Sequence, residues 1–291
     1  MNGKVSDGID GNGTPACAVA TEFAYSPDDF NSVRQTLYRI AGIRLADTKD
    51  AMVYSRLVRR LRTLKQRSFT DYLDYLKRTP REQQHFINAL TTNLTSFFRE
   101  PHHFAILSEY LAATPGVKTI WCAASSSGEE PYSIAMTVAE HFGSFKTPVK
   151  IIASDIDSNM LDKARQGVYP AQVSQHLSVQ QCKHFLHRGR DNNKGRVRIV
   201  PELRAMVDFR QINLTAPQWP LPKQVDIIFC RNVMIYFDKQ TQLRLLEKMV
   251  TLLPERGLYI AGHSENFSMA PHLVQPLGHT TYQPVKRKSN G

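Results

Sequence analysis

The sequence predicts an α/β fold of the doubly wound type, with an all-helical region before it and a small antiparallel insertion within it. Short, nearly continuous apolar runs recur after about residue 115: "VKTIWCAA", "VKIIASD", "VDFRQI", "VDIIFC" and "GLYIAG". Runs of that kind suit parallel strands covered on both faces. Helical stretches at about 131–142, 157–166 and 238–253 separate them, and the first ninety residues carry helical periodicity alone.

Residues 1–25 are aperiodic and read as a flexible tail. A helix starts at Ser26, which can cap it; Pro27 suits the first turn, and Asp28 and Asp29 suit the dipole. Phe30, Val33, Leu37 and Ile40 form its apolar stripe, and Gly42 can end it. Further helices are expected over about 49–67, from near Thr70, and from Pro80 toward Leu90, giving a helical domain over 26–90. The larger domain takes residues 91–291. Between Tyr169 and Met206 the alternation breaks, and the turn signal in "HRGRDNNKGRVRIV" implies an antiparallel β-insertion over 170–207. "TTYQPV" adds a last strand, expected to be antiparallel.

The 291 residues are 42% hydrophobic and 22% charged, as in ordinary globular chains. The net charge of +11 predicts an acidic or polyanionic partner. No apolar run approaches the ~20 residues of a membrane span, and the N-terminus lacks a signal-peptide core, so a cytoplasmic protein is expected. Cys17, Cys122, Cys182 and Cys230 lack zinc-knuckle spacing and read as buried free thiols; no metal is expected.

Open α/β sheets bind ligands beyond the carboxyl ends of their strands. The first such end is "WCAASSSGEEPYSIAM", where serines fill a corner that dinucleotide folds build from glycines, and Glu129 and Glu130 open the next helix. The second is "ASDID" with Asp155, the third Asn213 and Leu214, and the fourth Arg231 and Asn232. An acid after the second strand suits ribose hydroxyls. Missing phosphate glycines together with carboxylates suit a cationic nucleoside, and S-adenosylmethionine is one. Helix capping and dipole compensation remain open for Asp155, Glu129 and Glu130 taken singly.

Two further stretches stand out. "NALTTNLTSFFREPHHF" sets polar Asn93, Thr95 and Arg99 among apolar residues at the domain junction. "RLVRRLRTLKQR" places Arg56, Arg59 and Arg60 at helical spacing, with Arg62 beyond and no acid between Ala51 and Ser68. It is either a solvated face of a core helix or a surface for an acidic helix or phosphate backbone.

In order, "MVYSRLVRRLR", "FINALTTNLTSFFRE", "SSSGEEPYSIAM", "ASDID", "IFCRNVMIYFDK" and "AGHSENFS" resemble the chemotaxis receptor methyltransferases of the CheR type over about residues 28–285. The resemblance implies a Rossmann-like S-adenosylmethionine-dependent methyltransferase domain, an all-α receptor-binding N-terminal domain and a β-subdomain that in some members docks a receptor's C-terminal pentapeptide. It implies methyl esterification of receptor glutamates for sensory adaptation, with S-adenosylhomocysteine as product. Cofactor contacts fall on Asn93, Thr95, Arg99, Glu130, Asp155, Asn213, Leu214, Arg231 and Asn232, and the positions nearest methyl transfer are Arg99 and Tyr236. Arg56, Arg59, Arg60 and Arg62 are expected to meet the receptor's acidic helical bundle. A monomer recruited to membrane receptor arrays is expected, without membrane insertion or nucleic acid. The alternatives are a nucleic-acid methyltransferase, disfavoured because Asn232 to Tyr236 lacks the prolines of the nucleobase motif, and a non-catalytic adaptor, disfavoured by the intact polar set.

Overall fold

The computed structural model describes residues 22–285. The stretch read as a tail lies outside them as far as residue 21, together with Cys17. Its last residues are packed chain. Glu22 pairs with Arg62, the Phe23 N–H donates to the Tyr54 hydroxyl, and the Tyr25 ring lies 4.6 Å from that of Phe69.

The helical domain comprises α1 (Pro27–Ala41), α2 (Asp50–Leu64), α3 (Phe69–Arg78) and α4 (Pro80–Leu90). Ser26 and Asp29 form a reciprocal capping box at the start of α1, and Gly42 ends it with φ +69°, a left-handed conformation that glycine adopts without strain. Phe30, Val33, Leu37, Leu57, Leu61, Tyr72 and Phe86 make this domain's core.

The chain then runs through α5 (His102–Ala113), β1 (Lys118–Cys122), α6 (Glu129–Phe142), β2 (Val149–Asp155) and α7 (Ser158–Gln166). The insertion follows: β3 (Val168–Pro170), α8 (Val179–Phe185), β4 (Leu186–Arg188) and β5 (Arg196–Ile199). The rest is α9 (Pro201–Ala205), β6 (Val207–Gln211), β7 (Ile227–Cys230), α10 (Lys239–Val250), β8 (Leu258–Ala261), β9 (Val274–Gly278) and β10 (Thr281–Pro284).

The large sheet has the order β6-β2-β1-β7-β8-β10-β9, and its first five strands are parallel. β10 runs antiparallel to β8, and β9 antiparallel to β10. Strand residues alternate between two cores. Ile120, Cys122, Ile151 and Phe229 pack under α5 and α6, whereas Trp121, Ile152, Ile228 and Cys230 pack under α10. The insertion is a separate antiparallel sheet of order β3-β5-β4. Cys122 and Cys230 are buried free thiols, while Cys182 is only half-buried.

The sheet order reverses at β1, with β2 on one side and β7 on the other. Such a switch point leaves a crevice beyond the strands' carboxyl ends. The helical domain closes over it. Tyr38 donates its hydroxyl to Asp238, the Arg44 N–H donates to the Tyr236 carbonyl at 2.8 Å, and Asn213 Nδ2 donates to the Ile40 carbonyl at 3.0 Å.

Candidate active site

A cavity of about 280 Å³ lies in this crevice. Asn93, Thr95, Arg99, Glu130, Asp155, Asn213, Leu214, Arg231, Asn232 and Tyr236 all line it, with Ile43–Ala46, Lys49 and Met52 forming the wall from the helical domain. Residues from Asn93 to Tyr236 in the sequence therefore meet in one place. Arg56, Arg59, Arg60 and Arg62 are not among them.

Asp155 ends β2 and points its carboxylate at the β1–α6 corner. Its Oδ2 accepts the Ser126 N–H at 2.8 Å and its Oδ1 accepts the Asp157 N–H at 2.8 Å. Burial raises its pKa to about 6, against the pull of these N–H groups. Each oxygen keeps lone-pair capacity for a ligand hydroxyl. Helix capping, the other reading of this acid, is done by Asp157, which accepts the Asn159 and Met160 N–H groups at the start of α7 and binds Thr91 and Asn93 with its second oxygen.

Glu129 and Glu130 part company. Glu129 turns away, accepts the Ser127 hydroxyl, and has its pKa raised by burial. Glu130 Oε2 takes Arg231 Nη1 at 2.7 Å, and its Oε1 accepts the Cys122 thiol at 3.2 Å. Arg231 is only 4% exposed and also donates to the Arg99 carbonyl, while its Nη2 lies 3.2 Å from Glu100 Oε2. Burial opposes ionisation of Glu100, but the Arg231 charge and the His263 N–H outweigh it and hold its carboxyl below the usual range. The Arg99 side chain folds back, donating to the Leu94 carbonyl at 3.0 Å. Asn213 commits its amide to the domain junction and to Thr215, so it contributes wall rather than a free hydrogen-bonding group.

Asn232 sits at φ +56° in the turn after β7. Glu265 holds that turn in place. Buried, with its pKa raised by that burial, it accepts the N–H groups of Asn232, Val233, Met234 and Gly262. A Cβ on Gly262 would lie 2.7 Å from the Asn232 nitrogen. Gly262→Ala must therefore push the turn off Glu265. The expected result is roughly 1–3 kcal/mol of overpacking cost and about tenfold weaker cofactor binding, checked by calorimetry with S-adenosylhomocysteine. Glu100, Glu265 and Gly262 escaped the sequence reading, although "AGHSENFS", a polar stretch directly after an apolar strand, carried the signal for the last two.

The basic helix α2 is engaged largely within the chain. Arg60 forks onto buried Glu82 at 2.9 and 2.6 Å, Arg56 donates to the Ala89 and Thr91 carbonyls, and Arg62 pairs with Glu22. Past Asp50 in its first turn the helix has no acid of its own, and the partners of Arg60 and Arg62 come from α4 and from residue 22. Arg59 is exposed, as are Lys65 and Arg67 just beyond the helix.

Residues 28–91 match the CheR methyltransferase all-alpha domain, and residues 93–283 match the CheR methyltransferase SAM binding domain. The chain is 55% identical over 268 residues to chemotaxis protein methyltransferase 2 of Pseudomonas aeruginosa, covering 91% of this chain and 95% of that protein. It is 46% identical over 279 residues to the chemotaxis protein methyltransferase of Klebsiella aerogenes, covering 95% and 96%. It is 48% identical over 261 residues to that of Escherichia coli, covering 89% and 91%. With both family domains in sequence order and relatives matched nearly end to end, the chain belongs to the CheR methyltransferase family.

Proposed function

We propose that the cavity binds S-adenosylmethionine and that the enzyme transfers its methyl group to glutamate side-chain carboxylates of chemoreceptor cytoplasmic helices, forming methyl esters. The observation that carries this reading is the convergence of Asp155, Glu130 and Asn232 on one cavity at the switch point of the sheet. The residues fit the cofactor: Asp155 has capacity for ribose hydroxyls and its carboxylate suits a cationic ligand, while Glu130 is held in the wall by Arg231. When bound, the cofactor supplies an electrophilic methyl on a sulfonium.

An acceptor glutamate with an ordinary pKa of about 4.3 is already ionised at neutral pH, so the chain needs no general base. Its residues have to align the acceptor and strip it of water. Arg99 and Tyr236 line the cavity and are assigned that positioning. Arg99→Ala and Tyr236→Phe are each expected to lower the transfer rate by tenfold or more with smaller effects on cofactor affinity; wild-type turnover in both would remove them from the transfer step. Labelled cofactor incubated with a receptor fragment should give base-labile label on the protein. Base-stable label, or label on tRNA instead, would sink the ester reading.

Cofactor affinity should also fall as pH drops through about 6, because protonation of Asp155 removes its negative charge and turns one acceptor oxygen into a donor. Stability of the free protein has the opposite sign. A carboxyl pKa raised in the folded state favours folding below its ordinary value, and that contribution is lost as pH rises through about 6. Calorimetry from pH 5 to 8, with Asp155→Asn as the pH-insensitive control, checks both.

The exposed Arg59, Lys65 and Arg67 carry the encounter with the acidic receptor bundle, with the enzyme acting as a monomer. An edge of the three-stranded β3-β5-β4 sheet is the assigned place for a receptor's C-terminal pentapeptide, by strand addition. Among the described residues no helix is long and apolar enough to cross a membrane.

A further inference from the structure

We propose that Glu100, His102 and His103 form a binding site for a borderline divalent transition-metal ion, of which zinc is the type, directly behind the cofactor cavity. One potential ligand atom from each residue lies within 4.8 Å of the others.

The argument starts from His103. Its ring is fully buried, and Nε2 lies 2.8 Å from the His279 carbonyl oxygen. A carbonyl only accepts, so Nε2 carries the hydrogen. In the neutral ring Nδ1 is then a bare lone pair, and among the described residues it has no hydrogen-bond partner. It faces another acceptor, Glu100 Oε2, at 3.6 Å. The bare lone pair of buried His103 and the half-buried Glu100 carboxylate, which already takes the Arg231 guanidinium and the His263 N–H, leave room for a cation between them.

The remaining features suit a metal. A ring nitrogen donating to a main-chain carbonyl is the arrangement that orients metal-bound imidazoles. Two nitrogens and one carboxylate oxygen match zinc, whose bonds of about 2.0–2.2 Å place neighbouring ligands about 3.4 Å apart around a tetrahedral ion. The Nδ1–Oε2 pair is already close to that spacing. His102 stacks edge-on against His103 at 4.2 Å between ring centroids and supplies the third ligand after a small closure. Magnesium and calcium prefer all-oxygen sites and are excluded by the same donor set.

Arg231 and the N-terminus of α5 oppose a cation here, so the affinity belongs in the micromolar range and the site is not a folding element. It is also no cofactor of the transfer step. Its consequence runs through Glu100, which a metal would share with Arg231, the partner of Glu130 in the cavity wall. Metal and cofactor therefore compete for the placement of Arg231, and the coupling is reciprocal.

The test is calorimetric titration of untagged full-length protein with zinc chloride at pH 7. Wild type should bind one ion. His102→Ala, a change at a half-buried position, should bind at least tenfold more weakly at an unchanged melting temperature. Saturating zinc should weaken S-adenosylhomocysteine binding in wild type and not in the variant. Equal zinc affinity in both proteins would overturn the site, as would magnesium binding as tightly as zinc. So would a nuclear magnetic resonance titration showing His103 doubly protonated at pH 7.

Discussion

Arg231→Ala is expected to lower stability by about 3–5 kcal/mol and to abolish measurable binding of S-adenosylhomocysteine. The substitution strands two carboxylates, buried Glu130 and half-buried Glu100, which lie 2.7 and 3.2 Å from the guanidinium. It also releases the Arg99 carbonyl, which the same guanidinium holds. Uncompensated buried charge is among the few causes of losses this large. A melting-temperature drop on the order of 10 °C should accompany it. Arg231→Lys should recover only part, because an ammonium cannot span two carboxylates and a carbonyl as a planar fork does. Combining Arg231→Met with Glu130→Gln separates structure from binding: neutralising one stranded acid should restore part of the stability while cofactor binding stays lost. Wild-type melting of Arg231→Ala would show that the two acids find other compensation.

That cluster also marks the limit of what the sequence discloses. Asp155, Arg231 and Asn232 were legible because each ends an apolar strand, and the sheet's parallel order carries all strand ends to one rim. Glu100 had no such tag. It lies in a loop at φ +57°, and only the return of β7 beside it gives it a role. Helix α5 was likewise obscure: Phe104, Ile106, Leu107, Tyr110 and Leu111 all contact the central core, so no narrow apolar stripe announces the helix. Strand β9 hid for the converse reason. It is an edge strand with Val274 alone buried and Pro276 within it, which only an edge tolerates. Capping and register are local and readable; ion pairs between distant segments are set by topology.

The basic helix shows the cost of overlooking that distinction, and its variants should divide sharply. Arg60→Glu is expected to destabilise the helical domain by about 3 kcal/mol, whereas Arg59→Glu should stay within about 0.5 kcal/mol of wild type. Glu82 is 3% exposed and is satisfied by the Arg60 fork and by the Tyr72 hydroxyl at 2.9 Å. Reversal at position 60 sets a second carboxylate against it; the lower end of the usual range applies because the Arg60 side chain is 22% exposed. Arg59 points to solvent on the neighbouring turn face. Its reversal should instead slow methylation of a receptor fragment at low salt, with the difference shrinking as added salt screens the encounter. Urea melts and transfer rates measured on the same two variants decide the matter. If Arg59→Glu methylates receptor at the wild-type rate at low ionic strength, α2 is a core helix whose charges serve the fold alone, and the receptor docks elsewhere.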